Sequence, residues 1–73
     1  MNMESTFELN GEYIELCNLL KLAGIANSGG QGKLMVSDGI VEVDGKVETR
    51  RTAKIRAEQM VECMGHKIKV IAG

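Results

Sequence analysis

Residues 16–45, LCNLLKLAGIANSGGQGKLMVSDGIVEVDG, decide the fold of this chain. Leu16, Cys17, Leu20 and Ala23 fall at helical spacing, and Tyr13 extends the same apolar face backwards. Asn10 can cap a helix that starts near Gly11, with Glu12 and Glu15 in its first turns and Lys21 in its last, each suited to the helix dipole. Gly24 then ends the helix in a left-handed conformation. Ser28-Gly29-Gly30-Gln31 fits a capping box, in which Ser28 opens a second helix and Gln31 reaches back. Leu34 and Met35 form that helix's expected buried side, and Gly39 stops it.

The glycines of the second helix conflict with its propensity, because an interior glycine costs about 1 kcal/mol against alanine. Two explanations are open, and they can hold for different glycines. A bare Cα permits close packing of helix on helix. It also lets another backbone, or a phosphate, reach free N–H groups at a helix start.

Ile40–Val43 and Val47–Thr49 form a hairpin around Asp44-Gly45. A strict two-residue loop would set Lys46 opposite Val43, so a bulged three-residue turn is expected. Met60–Cys63 and His66–Ile71 form a second hairpin. Pairing across Met64-Gly65 matches Val61 with Ile68 and Glu62 with Lys67, which gives one apolar and one charged face. Upstream, Thr6–Leu9 alternates as a short edge strand, and residues 1–8 are either such a strand or a loose terminus. The expectation is one domain over residues 1–73: an α+β fold with a helix-turn-helix-like pair packed on a small, mostly antiparallel sheet.

Composition narrows the function. No apolar run approaches the ~20 residues that cross a bilayer. The start, MNMESTFELN, lacks the basic and apolar segments of a signal peptide, so a cytoplasmic location is expected. Cys17 and Cys63 are expected as buried thiols rather than a disulfide. Formal net charge is −1, yet residues 1–20 hold four acids and no base, while residues 21–73 hold all nine bases and six acids. Such asymmetry points to a one-sided anionic partner.

Arg50, Arg51, Lys54 and Arg56 crowd seven residues with only Ala53 and Ile55 as anchors. Charge alone is compatible with a solvated loop. Arginine also suits phosphate, because its planar fork donates two hydrogen bonds at once. Lys33 and the helix-two N–H groups can join the loop if the hairpin folds back, and Lys46 at the hairpin tip is an outlying contact. Cys63-Met64-Gly65-His66 supplies only half of a metal site. His66 is the only histidine, and no nucleophile-base set can be named. Gly29-Gly30-Gln31-Gly32-Lys33 lacks the P-loop spacing. No enzyme, cofactor, metal or small-molecule substrate is expected. The two aromatics, Phe7 and Tyr13, read as core residues, which argues against stacking on unpaired bases and for recognition of phosphate geometry in folded RNA.

The ordered segments Leu16–Leu22, Ala23-Gly24, Ser28–Lys33, Asp38–Gly45 and Glu48–Arg51 resemble the RNA-binding domain named for ribosomal protein S-four, and within it the stand-alone YbcJ-like bacterial proteins. The likeness spans about residues 9 to 71. It implies the alpha-L RNA-binding motif, in which a helix pair and the following hairpin form the RNA-contacting surface. Residue by residue, that surface maps to Ser28, Gln31 and Lys33 at the start of helix two, to Lys46 at the hairpin tip, and to Arg50, Arg51 and Lys54 in the loop. Many members carry arginine after the serine, where this chain has Gly29. Ala57-Glu58-Gln59 replaces the usual Gly-Asp turn. The implied function is non-catalytic binding of structured RNA, ribosomal or transfer RNA, by a monomer. The alternative is a protein-interaction module that docks an acidic, ribosome-associated partner.

Overall fold

The computed structural model describes residues 3–73. Met1 and Asn2, part of the expected loose or edge-strand start, lie outside the described residues. The order is β1 (Met3–Glu8), β2 (Ile14–Glu15), α1 (Leu16–Leu22), α2 (Gly29–Ser37), β3 (Val41–Val43), β4 (Lys46–Val47), β5 (Lys54–Ile55), β6 (Met60–Cys63) and β7 (His66–Ile71). Five strands form a sheet in the order β1-β7-β6-β3-β4, in which only β1 and β7 run parallel. β2 and β5 make a separate antiparallel pair. The α+β arrangement, helix pair on a mostly antiparallel sheet, is the expected one.

Period-two alternation builds the sheet's inner face. Val41, Val61, Cys63, Ile68 and Val70 are buried there and meet Leu16, Leu19, Leu20 and Val36 from the helices. Both cysteines are free and buried. Burial pushes the Cys63 thiol pKa up, because an apolar setting disfavours the thiolate. Among the described residues no helix is long and apolar enough to cross a membrane.

The second hairpin has the expected register, Val61 with Ile68 and Glu62 with Lys67. Three local expectations are corrected. Helix α1 starts at Leu16, not near Gly11, because Ile14–Glu15 is drawn into the pairing with β5. Glu15 takes the N-cap position without a side-chain cap, and no acid lies in the first turn. The first hairpin closes by the strict two-residue turn rather than a bulge: Val43 faces Lys46. Asp44 (φ 53) and Gly45 (φ 83) both adopt the left-handed conformation that such a turn requires. The mismatch is tolerated because β4 is an exposed edge. The Asp44 carboxylate also accepts from the Met60 amide (3.0 Å) and from Gln59 (3.3 Å), which holds its pKa below the ordinary value and anchors the turn. Leu34 is exposed (65%), and the buried side of α2 is Gly32, Met35 and Val36.

Gly32 answers one half of the glycine question. A Cβ there would lie 2.6 Å from the Cys17 carbonyl oxygen and 3.2 Å from Cys17 Cα. The obstacle is backbone of α1, which cannot rotate away. At Gly30 the nearest atom to a Cβ is Ser28 Oγ at 3.8 Å, an ordinary contact. Gly32→Ala is therefore expected to destabilise by about 1–3 kcal/mol despite its better helix propensity. Gly30→Ala should be neutral or stabilising by less than about 1 kcal/mol. Thermal melts of the two variants check this, and equal midpoints would mean that the helices can separate at little cost.

Candidate nucleic-acid interface

Helix α2 begins as the capping box predicts, with one shift. Ser28 Oγ accepts the Gln31 amide (3.1 Å), while Gln31 Oε1 accepts from the Asn27 amide (2.7 Å) rather than from Ser28. The Ser28 side chain thus satisfies one orphan donor of the helix start, and the Gln31 side chain ties down the residue before the cap. The Gly29 and Gly30 amides have no acceptor among the described residues. Lys33, one turn on, is exposed.

The start of α1 is satisfied differently. Its first amides are met by backbone from the basic loop: Leu16 N–H donates to Ala53 O (2.9 Å) and Cys17 N–H to Arg51 O (3.3 Å). The loop therefore lies across the first turn of α1. Gly32 of α2 packs on the carbonyl of that same Cys17, and the Asn18 side chain borders Gly29. The backbone of Cys17 thus touches the basic loop through its N–H and α2 through its carbonyl.

Within the loop the cations differ. Arg50 donates from Nε (3.0 Å) and Nη2 (3.0 Å) to the two oxygens of Glu48, whose carboxylate also accepts the Arg50 amide (3.1 Å). These bonds hold the Glu48 carboxyl below its ordinary 4.5, and the same carboxylate raises the Arg50 guanidinium. Arg50 stays 80% exposed at its side chain, so it is oriented but partly neutralised. Arg51 is exposed and makes no ion pair among the described residues. An open depression of about 410 Å³ is lined by Arg50, Thr52, Ala53 and Lys54. Lys46 sits apart, at the tip of the β3–β4 hairpin on the edge of the sheet.

Tyr13 is not a core residue. It is 42% exposed, with Lys54 Nζ 5.0 Å and the Arg56 guanidinium 5.7 Å from its ring centre. The cause is the β2–β5 register. Ile14 pairs with Ile55 on the inner side, so Glu15 and Lys54, and by continuation Tyr13 and Arg56, share the outer side. Sequence reasoning missed this cluster. The alternation Tyr-Ile-Glu against Lys-Ile-Arg was the available signal, but it is informative only once the two segments, some 40 residues apart, are known to pair. Among the described residues no three His, Cys, Asp or Glu side chains converge as metal ligands.

This geometry has counterparts. The family profile of the S4 domain matches residues 7–71. The chain belongs to the S4 domain family. It is 48% identical over 69 residues to YbcJ of Escherichia coli (strain K12), covering 93% of this chain and 99% of that protein, whose name assigns it provisionally as an RNA binder. The Shigella flexneri YbcJ matches to the same extent and is named without a function. The solution structure of E. coli YbcJ superposes with a TM-score of 0.73, covering 99% of this chain and 91% of that one. That structure is described as revealing an alpha-L motif involved in RNA binding. The expected family and its alpha-L architecture are therefore those observed.

The Glu48–Arg50 pair makes a pH prediction. Glu48 has a depressed folded-state pKa, so its contribution to stability is complete above 4.5 and is lost as pH falls through the lower folded value. The melting-temperature gap between wild type and Glu48→Gln is expected to stay constant above pH 4.5 and to narrow below it. The gap itself should be small, because exposed ion pairs contribute little. A gap that persists unchanged into acid would mean that Arg50 does not hold the carboxylate.

Proposed function

We infer that this protein is a cytoplasmic, monomeric, non-catalytic binder of structured RNA, ribosomal or transfer RNA. The phosphate backbone would be held by Lys33 and by Arg50, Arg51 and Lys54, with Lys46 as an outlying contact. Ser28 and Gln31 would keep the start of α2 formed. The observation that carries this reading is the double use of the Cys17 backbone. Its amide binds the Arg51 carbonyl, and its carbonyl packs on Gly32, so the cationic loop and the α2 N-terminus adjoin the same turn of α1. A second support is the 48% identity to a protein whose solution structure is described as containing an RNA-binding motif.

Glycine at position 29, where the family resemblance implies arginine in many members, leaves the α2 start with Lys33 alone, so the loop carries most of the charge. Arg51 and Lys54, unlike Arg50, make no ion pair among the described residues. About four phosphate contacts predict a log–log salt slope near −3 to −4. The Arg51→Ala, Lys54→Ala double variant should flatten that slope by about 1.4–1.8, as the loss of two phosphate contacts requires. Filter binding to ribosomal RNA across a salt series checks both. An unchanged slope would move the interface elsewhere. Absent RNA binding, with a complex from cell extract that survives ribonuclease, would favour an acidic protein as the partner.

A further inference from the structure

The sequence argued against base stacking because exposed aromatics were lacking, and the position of Tyr13 removes that argument. Phe7 packs against the core, whereas Tyr13 faces solvent. No packing requirement explains a tyrosine there, since Ile14 and Ile55 already fill the inner side of the β2–β5 pair. Its neighbours are informative. Two cations, Lys54 and Arg56, lie over the ring at 5.0 and 5.7 Å from its centre, so a base that stacks there displaces one of these long exposed side chains toward the nucleotide's own phosphate. A nucleotide presents an aromatic plane and a phosphate a few ångströms apart, and this cluster offers the complement of both. Aromatic rings with adjacent cations hold unpaired bases in this way, largely without regard to base identity.

We propose that Tyr13, flanked by Lys54 and Arg56, is a stacking site for one unpaired nucleobase at the end of the structured RNA segment. This rests on the RNA-binding reading and adds to it a preference for a single-strand–duplex junction. Two features place the site at the end of the phosphate-binding loop. Lys54 belongs both to the Tyr13 cluster and to the 410 Å³ depression shared with Arg50, Thr52 and Ala53, so the two surfaces are continuous. The strand pair is also held rigidly, because the Ala53 and Arg51 carbonyls take the first amides of α1 directly after β2. A site on pinned backbone loses little freedom when a ligand arrives.

The chain supplies its own probe, since it has one tyrosine and no tryptophan. Tyrosine fluorescence is titrated with three RNAs that share one stem: a blunt hairpin, the hairpin with a short unpaired 3′ overhang, and the same overhang with abasic sugars. The overhang with bases is expected to quench Tyr13 and to bind on the order of tenfold more tightly than the abasic one, the size of one base–aromatic stack. By filter binding, a readout that needs no tyrosine, the base-over-abasic preference disappears in Tyr13→Leu and is retained in Tyr13→Phe. Circular dichroism confirms folding, which an exposed side chain should not disturb. Equal quenching and affinity for base and abasic overhangs would overturn the stacking site and leave phosphate recognition intact. Failure of all three RNAs to bind at low salt would overturn the RNA reading itself.

Discussion

The contact of Gly32 with the Cys17 peptide is the constraint on which the rest of the molecule depends. A Cβ on residue 32 would fall 2.6 Å from the Cys17 carbonyl oxygen, so only glycine lets the two helices approach this closely. Close approach sets α2 against the first turn of α1. That turn in turn receives the Arg51 and Ala53 carbonyls from the loop after β4. Three segments distant in sequence therefore meet through main-chain contacts at adjoining residues. Main-chain contacts leave the side chains free for other work. This is why Arg51 can present a charge to solvent while its own peptide group is structurally committed.

How legible this was depends on the range of the interactions. Signals within a few residues were readable: the Ser28–Gln31 box, the left-handed stops at Gly24 and Gly39, and the Val61–Ile68 register of the second hairpin. Each arises from local backbone geometry or from face matching across a short turn. The start of α1 was not readable. Asn10 is a good local cap, but the β2–β5 pairing holds Ile14–Glu15 extended, and the helix amides that a side-chain cap would have served are met by carbonyls from Arg51 and Ala53. Tyr13 was misread for the same reason, since a helical wheel buries it and a strand alternation exposes it. Leu34 shows the cost of assigning a helix face from two apolar neighbours, when Gly32 rather than Leu34 meets α1. The candidate phosphate-binding residues were named from charge and likeness. Their division into a partly neutralised Arg50, an Arg51 with no ion pair among the described residues and an aromatic-flanked Lys54 required side-chain positions.

The net charge of −1 conceals an uneven distribution, which the fold makes explicit. Cross-strand register sets Glu4, Lys67, Glu62, Glu42 and Val47 in one row across the sheet. Glu62 and Glu42 are direct partners, an unfavourable like-charge pair that Lys67 on the other side of Glu62 partly offsets. The loop cations belong to β5 and the turn before it, which pair with β2 and cap α1 instead of joining this sheet. The molecule measures 29 × 27 × 22 Å, whereas charges in physiological salt are screened beyond about 8 Å. Beside the loop, Glu48 bonds to Arg50 and Glu15 pairs in register with Lys54, so the four cations Arg50, Arg51, Lys54 and Arg56 stand there against two carboxylates. Local sign as well as total charge sets what a surface attracts. The main-chain anchoring of the loop on α1 is what keeps that local sign in one place.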